Sequence, residues 1–297
     1  MMKKLRVATG HLQGCFGCHM ALLDLHEDLI SLLESIDIVR SPLNDVKAVP
    51  KVQLGILDGA ICNTSNLALA KGFRKKADKI LAFGTCAAFG GINGLRNLFS
   101  LDDVLKRAYV ETESTVNGKV PSSPDIPDIL PHVRAVHQEI HVDYVLPGCP
   151  PTPRMIKAVL SDIIGNKEPD IPQKNLCHEC SRKHKEMYIP KREFVTNSVH
   201  AIMELDEIDP QKCFLEQGLI CMGPATREGC EARCVKGNVP CRGCMGPTDG
   251  ALEQGAKMIN ALASILPAGA MMFMEDVVGV GYRYSLPVSI YPFREEK

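Results

Sequence analysis

The sequence predicts an α/β protein built on a parallel sheet, followed by a small irregular region rich in cysteine. Short apolar strands alternate with amphipathic helices as far as about residue 164, a pattern typical of a parallel sheet with crossover helices. Beyond that point, eight cysteines fall between residues 177 and 244, with few long periodic segments. Residues 165–172 have the composition of a linker. We therefore expect one domain at residues 1–166 and a second at 167–297.

The spacing of apolar residues predicts each helix and strand of the first domain. Strands are predicted at residues 5–9, 36–40, 54–61, 79–84 and 140–146. Helices are predicted at residues 20–33, 66–77, 101–110 and 153–164. A glycine-rich loop is expected at residues 10–17, and the stretch from 117 to 131, rich in Pro, Ser and Asp, predicts a surface loop.

Four cysteines of the first domain follow predicted strand ends. Ligands of parallel sheets gather outside the carboxyl ends of the strands, where the loops converge. Cysteines far apart in sequence are therefore expected to meet at one metal site at this edge. Four unrelated buried thiols remain the alternative, because free cysteine is a common core residue. The four are Cys15, Cys18, Cys86 and Cys149.

The eight cysteines of the second region divide into two groups of four. Zinc is a serious alternative for such groups, because Cys-x2-Cys pairs are also typical of structural tetrathiolate zinc. Together with the sheet-edge set they supply three four-cysteine centres, the number that an iron-sulfur electron relay would use. We expect the region to need its cofactors to fold. The groups are Cys177, Cys180, Cys213 and Cys221, and Cys230, Cys234, Cys241 and Cys244.

Charge, apolar runs and cysteine content limit the binding partners and the cellular compartment that the sequence predicts. The formal net charge of −1 gives no electrostatic reason to expect nucleic-acid binding. The longest apolar runs, such as residues 258–274, are interrupted by polar residues or proline and fall short of the roughly 20 residues of a membrane span. Thirteen cysteines without a secretion signal favour a reducing compartment and metal binding over disulfides. We expect a cytoplasmic protein without a transmembrane segment.

The cysteine motifs together resemble those of the small subunit of nickel-iron hydrogenases. The resemblance rests on Cys-x2-Cys near the start, Gly84-Thr85-Cys86, Pro147-Gly148-Cys149-Pro150-Pro151, and Cys-x2-Cys-Met-Gly-Pro ending at Pro247. It implies a flavodoxin-like N-terminal domain holding a proximal cluster and a C-terminal part holding medial and distal clusters. It also implies that hydrogen is split in a separate large subunit, so that no catalytic residue belongs to this chain.

Two departures from the family pattern bear on the cluster type. Cys177 stands where many members have a histidine ligand, and Cys234 stands where the medial three-iron cluster has a proline. The resemblance therefore implies three 4Fe-4S clusters. No flavin is expected, because a phosphate-binding Ser/Thr-rich loop is missing after the first strand. The implied ligands are Cys15, Cys18, Cys86 and Cys149 (proximal), Cys230, Cys234, Cys241 and Cys244 (medial), and Cys177, Cys180, Cys213 and Cys221 (distal).

The segment from Gly14 to Leu25 is most similar to the small (gamma) subunit of the viologen-reducing branch. That resemblance implies an iron-sulfur electron-acceptor subunit that feeds heterodisulfide reductase in methane-forming archaea. Three alternatives remain open at this point. They are the deazaflavin-coenzyme-reducing hydrogenase, an iron-sulfur subunit of a quinone-linked complex, and a structural zinc scaffold without chemistry.

Two further residues have open roles. His19 occupies the position of a glutamate that is credited in many relatives with helping protons leave the nickel site. A histidine there can shuttle protons near neutral pH, or it can be a hydrogen-bonding or packing residue. Cys62, the thirteenth cysteine, is expected to be an inert buried thiol, with a substitute-ligand role as the alternative.

Overall fold

The computed structural model describes residues 4–44, 46–183, 208–251, 253–265 and 276–290. The chain forms two compact units, Met1–Pro169 with Tyr284–Lys297, and Asp170–Arg283. The predicted division placed all of residues 167–297 in the second domain. In the structure, the described residues after 283 pack in the first unit, where the Gln138 side chain donates a hydrogen bond to the Pro287 carbonyl over 2.7 Å.

A five-stranded parallel sheet forms the centre of the first unit. The strands of the described residues are β1 (Leu5–His11), β2 (Ile36–Arg40), β3 (Val52–Asp58), β4 (Ile61–Asn63), β5 (Ala77–Phe83), β6 (Ile129–Arg134) and β7 (Tyr144–Leu146). The sheet has the order β2-β1-β3-β5-β7, which is the flavodoxin-like order. The predicted flavodoxin-like α/β fold is confirmed. Strands β4 and β6 pair separately as a short antiparallel ladder.

Helices flank this sheet and recur, more sparsely, in the second unit. In the first unit they are α1 (Gly17–Leu23), α2 (Glu27–Ser35), α3 (Thr64–Lys76), α4 (Thr85–Phe89), α5 (Leu101–Tyr109) and α6 (Pro153–Ile164). In the second unit they are α7 (Arg233–Lys236), α8 (Gln254–Ile265) and α9 (Val277–Gly281). None of the helices in the described ranges has the length and hydropathy required to cross a membrane.

Four local predictions are corrected by the structure. The strand predicted at 54–61 ends at Asp58, because the chain turns at Gly59, whose φ is +85°, before β4 begins at Ile61. The single helix predicted at 20–33 is two helices, because the chain turns at His26, whose φ is +51°. Leucine periodicity continues across this break and does not reveal it. The loop predicted as far as residue 131 ends earlier, since β6 begins at Ile129 and pairs with Asn63 of β4.

The strand predicted at 140–146 is shorter than expected. Only Tyr144–Leu146 pairs with β5. The carboxylate of Asp143 accepts a hydrogen bond from the Ile80 amide over 2.8 Å and lies 2.7 Å from Nη1 of Arg74. The Asp143 amide also donates a hydrogen bond to the Ile80 carbonyl over 3.0 Å, so the side chain and the backbone of Asp143 both bind Ile80 just before the strand begins.

Buried apolar side chains hold each unit together. Leu57, Phe73 and Ile80 are fully buried in the first unit. In the second unit, Phe214 and Met258 belong to a core of buried residues that also contains Cys221 and Cys241. The second unit therefore has its own apolar core, in which cysteines take part.

Candidate metal centres

Three loops at the carboxyl edge of the parallel sheet bring the first group of cysteines together. Cys15 follows β1, Cys18 lies in α1, Cys86 lies in α4 directly after β5, and Cys149 follows β7. All four line one cavity. Two hydrogen bonds join the loops that follow β5 and β7. The Thr85 amide donates to the Gly148 carbonyl over 2.9 Å, and the Gly148 amide donates to Oγ1 of Thr85 over 2.9 Å.

Two glycines leave room for the sulfur atoms of this site. Gly84 has a φ of +86°, and a Cβ there would lie 2.2 Å from Sγ of Cys18. Gly91 has a φ of +62°, and its Cβ would lie 2.5 Å from Sγ of Cys86. Any side chain at these positions would displace a cysteine, so local backbone geometry and the site depend on each other.

The clustered thiols resist deprotonation. Burial raises the pKa of Cys18 well above its usual value, and the charges of Asp58 and the other three cysteines raise it further. Burial likewise raises the pKa of Cys86 to about 12, with Cys149 and Cys15 adding to the effect. Bound cations would reverse this preference, because metal ligation requires and stabilises thiolates. The donor set fits a cationic centre such as an iron-sulfur cluster.

Asp58, at the end of β3, bridges two histidines beside this site. Nδ1 of His11 lies 2.7 Å from one carboxylate oxygen, and Nδ1 of His19 lies 2.9 Å from the other. A carboxylate only accepts hydrogen bonds, so both Nδ1 atoms carry protons. Nε2 of His19 contacts Oγ1 of Thr9 over 3.0 Å, and the ring of Phe16 stacks on it at 4.7 Å. With both ring nitrogens occupied, the geometry favours the hydrogen-bonding and packing role of His19.

Asp58 was missed by the sequence analysis. The available signal was the Asp58-Gly59 pair inside the strand predicted at 54–61, since glycine after a polar residue is typical of a strand end, the edge where ligands gather. Cys62 is buried with Ala60 and Val133 in a small cluster against which Cys86 packs. Burial raises the pKa of Cys62 to about 11, which is consistent with an inert thiol.

The first cysteine group of the second unit is brought together by backbone hydrogen bonds. The Cys213 amide donates to the Lys183 carbonyl over 3.0 Å, which links the segment after Cys180 to Cys213. A Cβ on Gly223 would lie 3.2 Å from Sγ of Cys177 and 3.7 Å from Sγ of Cys221. Burial is the main cause that raises the pKa of Cys177 to about 12, and the charges of Cys221, Cys180 and Cys213 also raise it. The structure thus places these four cysteines as near neighbours.

The second group surrounds the short helix α7. Cys234 lies in α7, and its carbonyl accepts a hydrogen bond from the Val239 amide over 2.8 Å, which folds the chain back toward Cys241. Burial raises the pKa of Cys241 well above its usual value, with further contributions from Cys221, Cys244 and Cys230. Cys234 is in turn among the charges that raise the pKa of Cys230.

The spacing of the cysteine sulfurs distinguishes a single zinc ion from a larger metal centre. In a tetrahedral zinc site with bonds of about 2.3 Å, the sulfurs lie about 3.8 Å apart. Among the described residues, which include all thirteen cysteines, the one group of three or more His, Cys, Asp or Glu ligand atoms that lie within 4.8 Å of one another is His11, His19 and Asp58. No three sulfurs of a quartet therefore all lie within 4.8 Å of one another, whereas a single zinc ion requires all four to do so.

Comparisons with known proteins bear on the whole chain. A family model described as "NADH ubiquinone oxidoreductase, 20 Kd subunit" matches residues 15–163. A subunit of the vhu F420-non-reducing hydrogenase of Methanocaldococcus jannaschii is 40% identical over 96% of this chain and 97% of its own. The corresponding F420-non-reducing hydrogenase subunit of Methanothermobacter marburgensis is 36% identical over 100% of this chain and 99% of its own. The chain belongs to the nickel-iron hydrogenase small-subunit family.

A solved structure agrees with this assignment. The matching chain in a crystal structure of an NAD+-reducing [NiFe]-hydrogenase in the H2-reduced state is 36% identical, with a TM-score of 0.56. The match covers 57% of this chain and 96% of the other. The predicted membership in the family is confirmed, and within it the chain is similar to these subunits of F420-non-reducing hydrogenases. It is a subunit of an oxidoreductase that acts on hydrogen, in a family that carries iron-sulfur clusters.

Proposed function

We propose that this chain carries electrons away from a nickel-iron centre held by a separate large subunit, through three 4Fe-4S clusters. When bound, the clusters accept and release single electrons, which pass from the proximal to the medial and then to the distal position. The ligands of the proximal cluster are Cys15, Cys18, Cys86 and Cys149. The ligands of the medial cluster are Cys230, Cys234, Cys241 and Cys244. The ligands of the distal cluster are Cys177, Cys180, Cys213 and Cys221.

One observation carries this proposal. Cys15, Cys18, Cys86 and Cys149 come from three separate loops, yet they line one cavity. Their raised thiol pKa values call for cations, and their sulfur spacing suits a centre larger than a single zinc ion. The spacing favours clusters over the structural zinc scaffold.

The branch and the acceptor are inferred from the relatives. The two relatives are named as hydrogenases that do not reduce F420, a deazaflavin coenzyme, which disfavours the deazaflavin-reducing alternative. They match along the whole chain, including the second cysteine region, which disfavours the quinone-linked alternative. We propose an iron-sulfur acceptor subunit that feeds heterodisulfide reductase. Thirteen free cysteines support a reducing, cytoplasmic setting.

Paired substitutions in the purified complex with its large subunit test the relay. Cys18→Ser should abolish hydrogen-dependent dye reduction, because it removes a ligand at the point of entry. Cys180→Ser should impair delivery to the physiological acceptor while sparing hydrogen/deuterium exchange at the nickel site. Cys62→Ser is the control and should retain both activities. Loss of exchange in the Cys180 variant, at unchanged thermal stability, would contradict the proposed direction.

A further inference from the structure

Glu179 links the two cysteine groups of the second unit. It lies between Cys177 and Cys180 in sequence, but its side chain reaches the loop that carries Cys230. Its Oε1 atom accepts hydrogen bonds from the amide of Gly229 over 3.0 Å and from the amide of Ala232 over 3.2 Å. The same oxygen lies 3.8 Å from Sγ of Cys230.

The loop around Cys230 needs such an anchor. Gly229, Glu231 and Ala232 all have positive φ values, of +111°, +61° and +50°. Residues other than glycine adopt this conformation at a cost, so surrounding contacts must hold it. Glu179 binds the amides on both sides of Cys230 and thereby fixes the position from which its sulfur projects.

The carboxylate of Glu179 faces the sulfur of Cys230, with Oε1 3.8 Å from Sγ. Among the described residues, no lysine or arginine forms an ion pair with it. Its hydrogen bonds with the amides of Gly229 and Ala232 hold this carboxylate in place beside the sulfur. A fixed negative charge beside a ligand sulfur also disfavours adding an electron to the iron that the sulfur binds.

We propose that Glu179 is a positioning residue that holds Cys230 and lowers the reduction potential of the centre to which Cys230 is a ligand. The inference rests on the proposed function, since it requires an iron-sulfur centre at that group. A lower potential at this centre favours passing the electron onward to the neighbouring group that contains Cys177 and Cys180.

Glu179→Gln separates charge from hydrogen bonding. The amide oxygen of glutamine can still accept from Gly229 and Ala232, but the negative charge is gone. In a potentiometric titration of the anaerobically purified hydrogenase, followed by electron paramagnetic resonance, the midpoint of the Cys230 centre should shift upward. That centre is identified as the one whose signal changes in Cys234→Ala. Glu179→Ala removes the anchor as well, and we expect loss of iron from the same centre.

Glu228→Gln is the matched control. Glu228 lies on the same loop, and its Oε2 atom lies 2.7 Å from Nδ1 of His178, the residue before Glu179. This substitution removes the same charge from a side chain that contacts no cysteine among the described residues, so the midpoint should stay at the wild-type value.

Three results would overturn the inference. The first is an unshifted midpoint in Glu179→Gln, and the second is an equal shift in Glu228→Gln. The third is loss of the centre in Glu179→Gln, which would show that the carboxylate holds the loop without setting the potential. A wild-type protein without iron-sulfur signals would instead contradict the proposed function itself.

Discussion

The backbone amide of Cys241 donates a hydrogen bond to Sγ of Cys221, with nitrogen and sulfur 3.3 Å apart. The amide of Met222 returns a bond to the Cys241 carbonyl over 2.9 Å. Both cysteines are buried, and they belong to different quartets. The proposed medial and distal centres are therefore joined by one hydrogen bond and a few covalent bonds, a short route for an electron.

Centres joined so closely should interact magnetically. We expect the electron paramagnetic resonance signal of the medial centre to broaden when the distal centre becomes paramagnetic on reduction. Removing the distal centre with Cys180→Ala should sharpen the medial signal, whereas Cys62→Ala should leave it broad. A medial signal that stays the same in both variants would contradict the assignment of Cys221 and Cys241 to adjacent centres.

Cys234 should determine the iron content of the medial centre. Its position in the first turn of α7 tolerates proline, because an amide there has no partner within the helix. Cys234→Pro should convert that centre to a three-iron form and leave the other two intact. Cys234→Ala, which does not restrict the backbone, should do the same. Spectra like those of the wild type in both variants would remove Cys234 from the ligand set.

Gly84 should be required for the proximal centre. Gly84→Ala would place a methyl group within 2.2 Å of Sγ of Cys18, and we expect selective loss of that centre's iron. Gly72, in α3, has open space within 4 Å of the position that a Cβ would occupy and serves as the control. Gly72→Ala should retain all iron and stabilise the protein by roughly 0.5–1 kcal/mol, as expected for a helix interior. Full iron content in Gly84→Ala would contradict the geometry.

The pairing of His11 with Asp58 should make stability depend on pH. The hydrogen bond to Asp58 raises the pKa of His11 above 6.5, so its contribution is complete below about pH 6.5 and is lost as the pH rises through the folded value. Burial would raise the pKa of Asp58, but the bonds from His11 and His19 outweigh it and hold the pKa below 3.8. The Asp58 contribution is therefore lost only in acid.

Thermal unfolding of wild type and His11→Gln at pH 6 and pH 8.5 measures this effect. The difference in stability between the two proteins should be larger at pH 6, where the wild-type ion pair is intact. An equal difference at both values would show that His11 is neutral in the folded protein throughout this range.

The sequence was sufficient to predict the sheet edge and not sufficient to predict its details. Cys86 and Cys149 were located because each directly follows an apolar strand, and parallel topology brings strand ends together. The break at His26 and the pairing of β4 with β6 depend on tertiary contacts that periodicity does not report. Asp58 and Glu179 were not predicted because their partners lie 39 and 51 positions away in sequence.

Metal and sulfide analysis of the anaerobically purified chain in its complex, corrected for the metal content of the large subunit, tests the proposed electron relay most directly. Three four-ligand clusters predict about twelve iron and about twelve acid-labile sulfide atoms per chain, with no stoichiometric zinc. Zinc in place of iron, or iron and sulfide sufficient for one cluster alone, would contradict the proposal that all twelve cysteines form an electron relay.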